Sequence, residues 1–202
     1  MSQFSPQMPM GFALCIGLLS GIVSTFLLEP VLSFDWSSLL VRTYGDRISL
    51  QLSLALSAGL PFGLIGAAYL WWRKSIGWPM GLIFVALSMV GMFAAVEVAI
   101  QVFVMNDDPN DLTLVPSYLA ASLVGAGIVM GGSVLIARLK NWRFMMLHGL
   151  LWPTVASLLV AVAIVASQAE NLFDPPWSVL LFCGWQAAFL AVLSRAEPRV
   201  AA

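Results

Sequence analysis

Hydrophobic residues run almost unbroken through six segments, Met8 to Leu28, Leu52 to Trp72, Pro79 to Met105, Val115 to Ala137, Phe144 to Ala166 and Trp177 to Leu193. Polar residues gather in the short intervals between them. Runs of this length approach the ~20 residues an α-helix needs to cross a bilayer. No segment alternates with the period of two of a barrel strand, and an open strand in lipid would leave its backbone groups unpaired. The pattern therefore predicts an all-α integral membrane protein, a single six-transmembrane-helix bundle over residues 1–202. The breaks carry turn chemistry: Arg73-Lys74-Ser75, Asn106-Asp107-Asp108-Pro109, Arg138 to Arg143 and Glu170 to Pro176. Pro79, Pro116 and Pro176 stand near segment starts, where a missing N–H costs nothing. The first run is too long for a signal-peptide core and ends at Glu29-Pro30 without a small-residue cleavage site, which predicts a retained span. Between the first two runs, Phe34, Val41 and Tyr44 share one helical stripe, as in a helix lying in the membrane interface. An ordinary loop packed on the bundle fits the same residues.

Composition reinforces the membrane reading. With 60% hydrophobic and 9% charged residues and a mean hydropathy of +0.94, the chain has too few polar groups to coat a water-soluble globule of its size. Charge then orients it. Arg73, Lys74, Arg138, Lys140, Arg143, Arg195 and Arg199 fall in the intervals after the second and fourth runs and in the tail, with only Arg42 and Arg47 on the opposite side. Basic loops stay in the cytoplasm, so the bundle is expected in the plasma (inner) membrane, multi-pass, with both termini cytoplasmic. Trp71, Trp72, Trp78 and Trp142 mark the same interface, and Trp36 and Trp177 the other.

Comparison of the two halves suggests a weak 3+3 inverted repeat. The spacing GxxxG occurs as Gly17/Gly21 and Gly127/Gly131, and a mid-segment proline as Pro61 and Pro153. Interrupted helices at matching positions of inverted halves point to a transporter-like site near the midplane. The competing explanation is general: small residues let helices approach, and proline is common in membrane helices. A direct match of Gly66 through Arg73 with Gly131 through Arg138 competes with the inverted one.

Two polar groupings carry candidate chemistry. Glu97 lies about 12 Å inside the end of the third run, counting ~1.5 Å per residue, with Gln101 one turn further out on the same face. Ser122 and Ser20 count to similar depth. An intramembrane carboxyl is a site hypothesis by default, able to exchange a proton or bind a cation. Its structural counterpart is a carboxyl that bonds helices together. The second grouping lies in the other half: His148, the single histidine, is one turn from Trp152, beside Pro153, and Trp185 and Gln186 count to comparable depth. A proline frees a carbonyl that Gln186 or an indole N–H can satisfy.

Much is excluded. No nucleic-acid signature, P-loop, nucleotide fingerprint or GxSxG occurs, one histidine rules out multi-histidine zinc or bis-histidine haem, and Cys15 and Cys183 share no CxxC spacing. No cofactor, metal site or catalytic residue is assigned, and an enzyme is not expected. Two readings remain. One is a proton- or cation-coupled permease for a small solute or ion, with Glu97 as the titrating site. The other is a non-transporting membrane subunit or assembly factor, whose small-residue faces pack on a second copy or on partner helices.

Overall fold

The computed structural model of the chain describes residues 10–32, 51–73, 75–105, 113–167 and 176–197. Phe34, Val41 and Tyr44, the acid-rich stretch 106–112, and Arg42, Arg47, Lys74 and Arg199 lie outside the described residues. Six apolar helices account for nearly everything that is described, and no strand occurs among these residues: α1 (Met10–Leu32), α2 (Gln51–Trp72), α3 (Trp78–Val104), α4 (Leu114–Ala137), α5 (Trp142–Ser167) and α6 (Trp177–Leu193). The first five are long and apolar enough to cross a membrane, whereas α6 has only 17 residues.

Local sequence sets the helix ends. Gly77, extended at φ −81° and ψ 165°, precedes α3, and Pro79 occupies its first turn, where no helical hydrogen bond is forfeited. Arg138, in the left-handed conformation at φ 47° and ψ 54°, stops α4 and gives its N–H to Val134. Within α2 the backbone widens to a π-turn over Ala55–Gly59, immediately before Pro61. The Leu60 N–H there reaches back five residues to the Ala55 carbonyl, a shift of register next to the residue that has no N–H to give. By contrast α5 continues through Pro153 from Trp142 to Ser167.

The helices form a ring in which chain neighbours pack together and α6 closes against α1. Pairwise registers show that the neighbours run antiparallel. Along α2 and α3, Gly59 faces Met89, Gly63 faces Val85 and Gly66 faces Phe84. Between α3 and α4, Gly91 meets Val129 and Gly125, while Gly132 meets Leu87. The start of α1 touches the end of α2 through Phe12 and Trp72, and its far end touches the start of α2 where the Ser53 hydroxyl donates to the Val31 carbonyl at 3.3 Å.

Closure of the ring needs glycine. A Cβ at Gly17 would enter the backbone of Ala187, and one at Gly21 the backbone of Cys183. Gly127 and Gly131, which share the spacing, behave differently: the first would meet only a Leu150 methyl at 3.7 Å and the second nothing within 4 Å. The six residues that liken the two halves of the sequence, two glycine pairs and two prolines, thus stand in unlike surroundings.

One end of the bundle gathers the start of α1, the end of α2, the α4–α5 turn and the end of α6. There the Arg73 guanidinium donates to the carbonyls of Leu193, Ser194 and Ala196 at 3.3, 2.9 and 3.3 Å, satisfying carbonyls left unpaired at the C-terminal end of α6. Asn141 donates to the Arg195 carbonyl at 2.7 Å and accepts from the Glu197 N–H at 3.2 Å, tying the segment after α6 to the α4–α5 turn. Beneath this Arg73 end lies the packed core, including Leu70, Phe84, Met130, Met145, Phe189 and Leu193. The exterior is as apolar as the interior, unlike that of a protein in water. Phe26 and Leu135 are each 78% exposed, whereas Ser20, Ser24 and Ser57 are fully buried. Such an apolar exterior is stable only in an apolar solvent.

Candidate functional site

The half of the bundle away from Arg73 is hollow. Neighbouring helices separate there around a chamber of about 510 Å³, walled by α2, α3, α4 and α6 with Ser157 from α5. Its reach follows from the antiparallel registers, running from Ser88, Phe62 and Gly125 near mid-bundle to Phe103 and Leu114 at helix ends. Small residues make the room: along one face of α3, Gly91, Ala95 and Ala99 recur every fourth residue, and Ala121 and Gly125 do the same on α4.

Aromatic rings close the chamber toward the packed half. Trp185 stacks on Phe189 with centroids 5.3 Å apart, and Phe62 meets both edge-on at 5.3 and 5.2 Å. These offset and edge-to-face contacts are the ones aromatic quadrupoles favour. The indole N–H of Trp185 donates to the Ser122 hydroxyl at 3.2 Å, which fixes the ring across the bundle from α6 to α4.

Polar atoms in the wall are few, and they differ in how they are satisfied. Ser88 and Ser117 turn their hydroxyls back to their own helices, onto the carbonyls of Phe84 at 2.9 Å and Thr113 at 2.8 Å. Ser122 accepts from Trp185 instead, so its own proton remains to be donated. Tyr118, one turn from Ser122, and Ser157 make no hydrogen bond with another described residue and line the same chamber. Neither Asp, Glu, Lys, Arg nor His lines it among the described residues.

Glu97 belongs to a separate cluster at the rim. One carboxylate oxygen accepts from the Gln101 side chain at 2.7 Å and the other from the side chain of Gln51, the first described residue of α2. The two helices that hold this trio pack antiparallel, so Glu97 stands level with a helix start, and seven residues, about 10 Å, separate it from Val104. Glu97 and Gln101 are brought together, but Ser122 and Ser20 join other groups. Ser122 pairs with Trp185, and the Ser20 hydroxyl is buried without a partner among the described residues.

The second grouping of the sequence divides. His148 is half-buried at the side of the bundle, stacked on Phe144 at 4.0 Å with Nδ1 at 3.0 Å from the Phe144 carbonyl, and Trp152 is 50% exposed. Trp185 and Gln186 both turn inward but to different neighbours, since consecutive helical residues point about 100° apart. Trp185 reaches α4, and buried Gln186 donates to the Ser24 hydroxyl of α1 at 3.0 Å. Depth counting along separate helices gives a level and not a direction, which is why it grouped residues that face different partners. Gln51 and Tyr118 were not singled out in the sequence. Gln51 borders an apolar run and Tyr118 follows Pro116 by two positions, but no spacing ties either to a partner.

Comparison of the chain with models of protein families, with curated proteins and with solved structures finds no match in any of the three.

Proposed function

We propose that this chain is a non-enzymatic, multi-pass protein of the plasma membrane that holds an apolar, membrane-soluble molecule inside its bundle. The observation that carries the reading is the chamber and its wall. A volume of about 510 Å³ lies in the usual range of small-molecule sites. Its lining is apolar apart from a few hydroxyls, so an ion or polar solute would lose its hydration with nothing to replace it. An apolar molecule loses nothing by leaving the surrounding lipid and gains contact with the Met92, Val96 and Phe182 side chains. In this reading all six helices cross the bilayer, both termini face the cytoplasm, and the Arg73 end is the inner face. Support comes from the basic residues at that end, Arg73, Arg138, Lys140, Arg143 and Arg195, and from the exposed Trp71, Trp72, Trp78 and Trp142 around it.

A second reading, a proton- or cation-coupled permease, is favoured by the Gln51–Glu97–Gln101 cluster alone. The cluster stands beside the chamber without lining it, which makes the carboxylate a tie between α2 and α3 in the first reading. The alternative role as a membrane subunit retains the open face at Gly131, since Gly17 and Gly21 are spent on closing the ring.

The test is photolabelling of the full chain in lipid nanodiscs with an alkyl diazirine. Labelling at Met92 and Tyr118 should saturate and be displaced by excess hexadecane, while labelling at lipid-facing Leu135 should rise linearly with probe. Ala121→Trp, which fills the chamber, should abolish the saturable part. Chamber and Leu135 labelling that cannot be told apart would end the reading.

A further inference from the structure

We infer that the chamber is selective for a neutral, chain-bearing molecule with one hydrogen-bond-accepting carbonyl, an ester or ketone, received by one of its unmatched hydroxyls, those of Tyr118, Ser122 and Ser157. The inference rests on the chamber reading above and names the ligand's chemistry. In a largely apolar wall, three hydroxyls each retain a proton with no acceptor among the described residues. Tyr118 and Ser157 make no hydrogen bond there, and Ser122 is committed only as an acceptor of the Trp185 N–H. The contrast with Ser88 and Ser117 matters. Serines in a helix ordinarily satisfy themselves on a preceding carbonyl, as these two do, and Ser122 is held away from that solution by the indole. An unmatched donor in an apolar cavity is costly, so an acceptor placed there gains a bond that the empty chamber lacks.

Charge complementarity narrows the class. A carboxylate or phosphate would need a cation or several donors, and no basic residue lines the chamber among the described residues. A plain hydrocarbon would fill the space and leave all three donors unmatched. A neutral carbonyl accepts from one of them without needing a cation. The chain then lies along the small-residue face of α3, at Gly91, Ala95 and Ala99, above the Phe62, Trp185 and Phe189 rings.

Competition against the diazirine label tests this with three probes of one chain length: methyl palmitate, hexadecane and ionised palmitate. In the wild-type chain, methyl palmitate should displace the label at Met92 about fivefold better than hexadecane, the ratio one net hydrogen bond supports. Palmitate should compete no better than hexadecane. The ester's advantage should fall toward onefold in whichever of Tyr118→Phe, Ser122→Ala and Ser157→Ala removes the receiving hydroxyl, while hexadecane still displaces the label in each, which shows that the variant is folded. Equal displacement by ester and hexadecane in wild type, an advantage that survives all three substitutions, or palmitate matching the ester would each overturn the inference and leave the apolar chamber standing. No displacement by any of the three probes would overturn the chamber reading together with it.

Discussion

Glu97 shows what a single side chain contributes through the two amides it is seen to join. A carboxylate among apolar residues invites a role in proton or ion movement, yet this one accepts from Gln51 and Gln101, one on each oxygen. Each amide–carboxylate bond joins or braces the α2–α3 pair at its open end, beside the chamber and away from the packed core. Glu97→Leu keeps the volume and removes both bonds, leaving buried Gln51, only 3% exposed, without its acceptor. The expected loss of stability is about 1 to 2 kcal/mol, on the scale of interhelical hydrogen bonds in membranes. Glu97→Gln should lose less, because one neighbouring carboxamide can turn over and accept. Unfolding in mixed detergent micelles measures both. A Leu variant as stable as wild type would remove the bracing role.

Among the helices, the same spacing of glycines has two different consequences. Gly17 and Gly21 bring α1 against α6 so closely that a methyl group at either position would collide with backbone, which cannot move aside as a side chain can. Gly131 faces open space. Gly17→Ala should therefore cost more than about 2 kcal/mol, whereas Gly131→Ala should change stability by less than about 0.5 kcal/mol or raise it slightly through better helix propensity. The same unfolding assay separates them, and equal effects would mean that ring closure does not depend on that approach. The prolines diverge similarly. At Pro61 the backbone takes a π-turn over Ala55–Gly59, but at Pro153 the helix continues. A motif in one dimension says that close approach or a missing N–H is available, and the neighbouring helix decides whether it is used.

Among the described residues the molecule has a packed, basic end and a hollow end. Antiparallel packing brings the start of α1 and the end of α6 to the Arg73 end, where Arg73 and Asn141 fasten Ser194 and Arg195. If that end faces the cytoplasm, a cysteine at exposed position 138, introduced as Arg138→Cys, should react with a membrane-impermeant maleimide only in inside-out vesicles, with Cys15 and Cys183 replaced by Ala. A cysteine introduced at 108 should react only in right-side-out ones. The reverse pattern would turn the topology over without affecting the chamber. Asymmetry between the halves has a physical origin in residue size. The Arg73 half is filled by Phe84, Met130, Met145 and Phe189, while the other half lines its interior with Gly91, Ala95, Ala99 and Ala121.

Hydropathy, by itself, determined the six helices and their limits to within a few residues, because the preference of a side chain for lipid over water acts on each residue wherever its neighbours are. The clustering of basic residues and tryptophans toward one end was legible for the same reason, and so was the pairing of Glu97 with Gln101, one turn apart on a single helix. Which way each helix turns its faces was not legible. Lipid is as apolar as a protein interior, so hydrophobicity cannot mark the buried face of a membrane helix as it does in water. Contacts between helices fix that face, and these alone joined Gln51 to Glu97 and Trp185 to Ser122 while sending Gln186 to Ser24. The chamber is likewise a tertiary product: small residues on α3 and α4 and the aromatic rings below them enclose a space only when the ring of helices has closed.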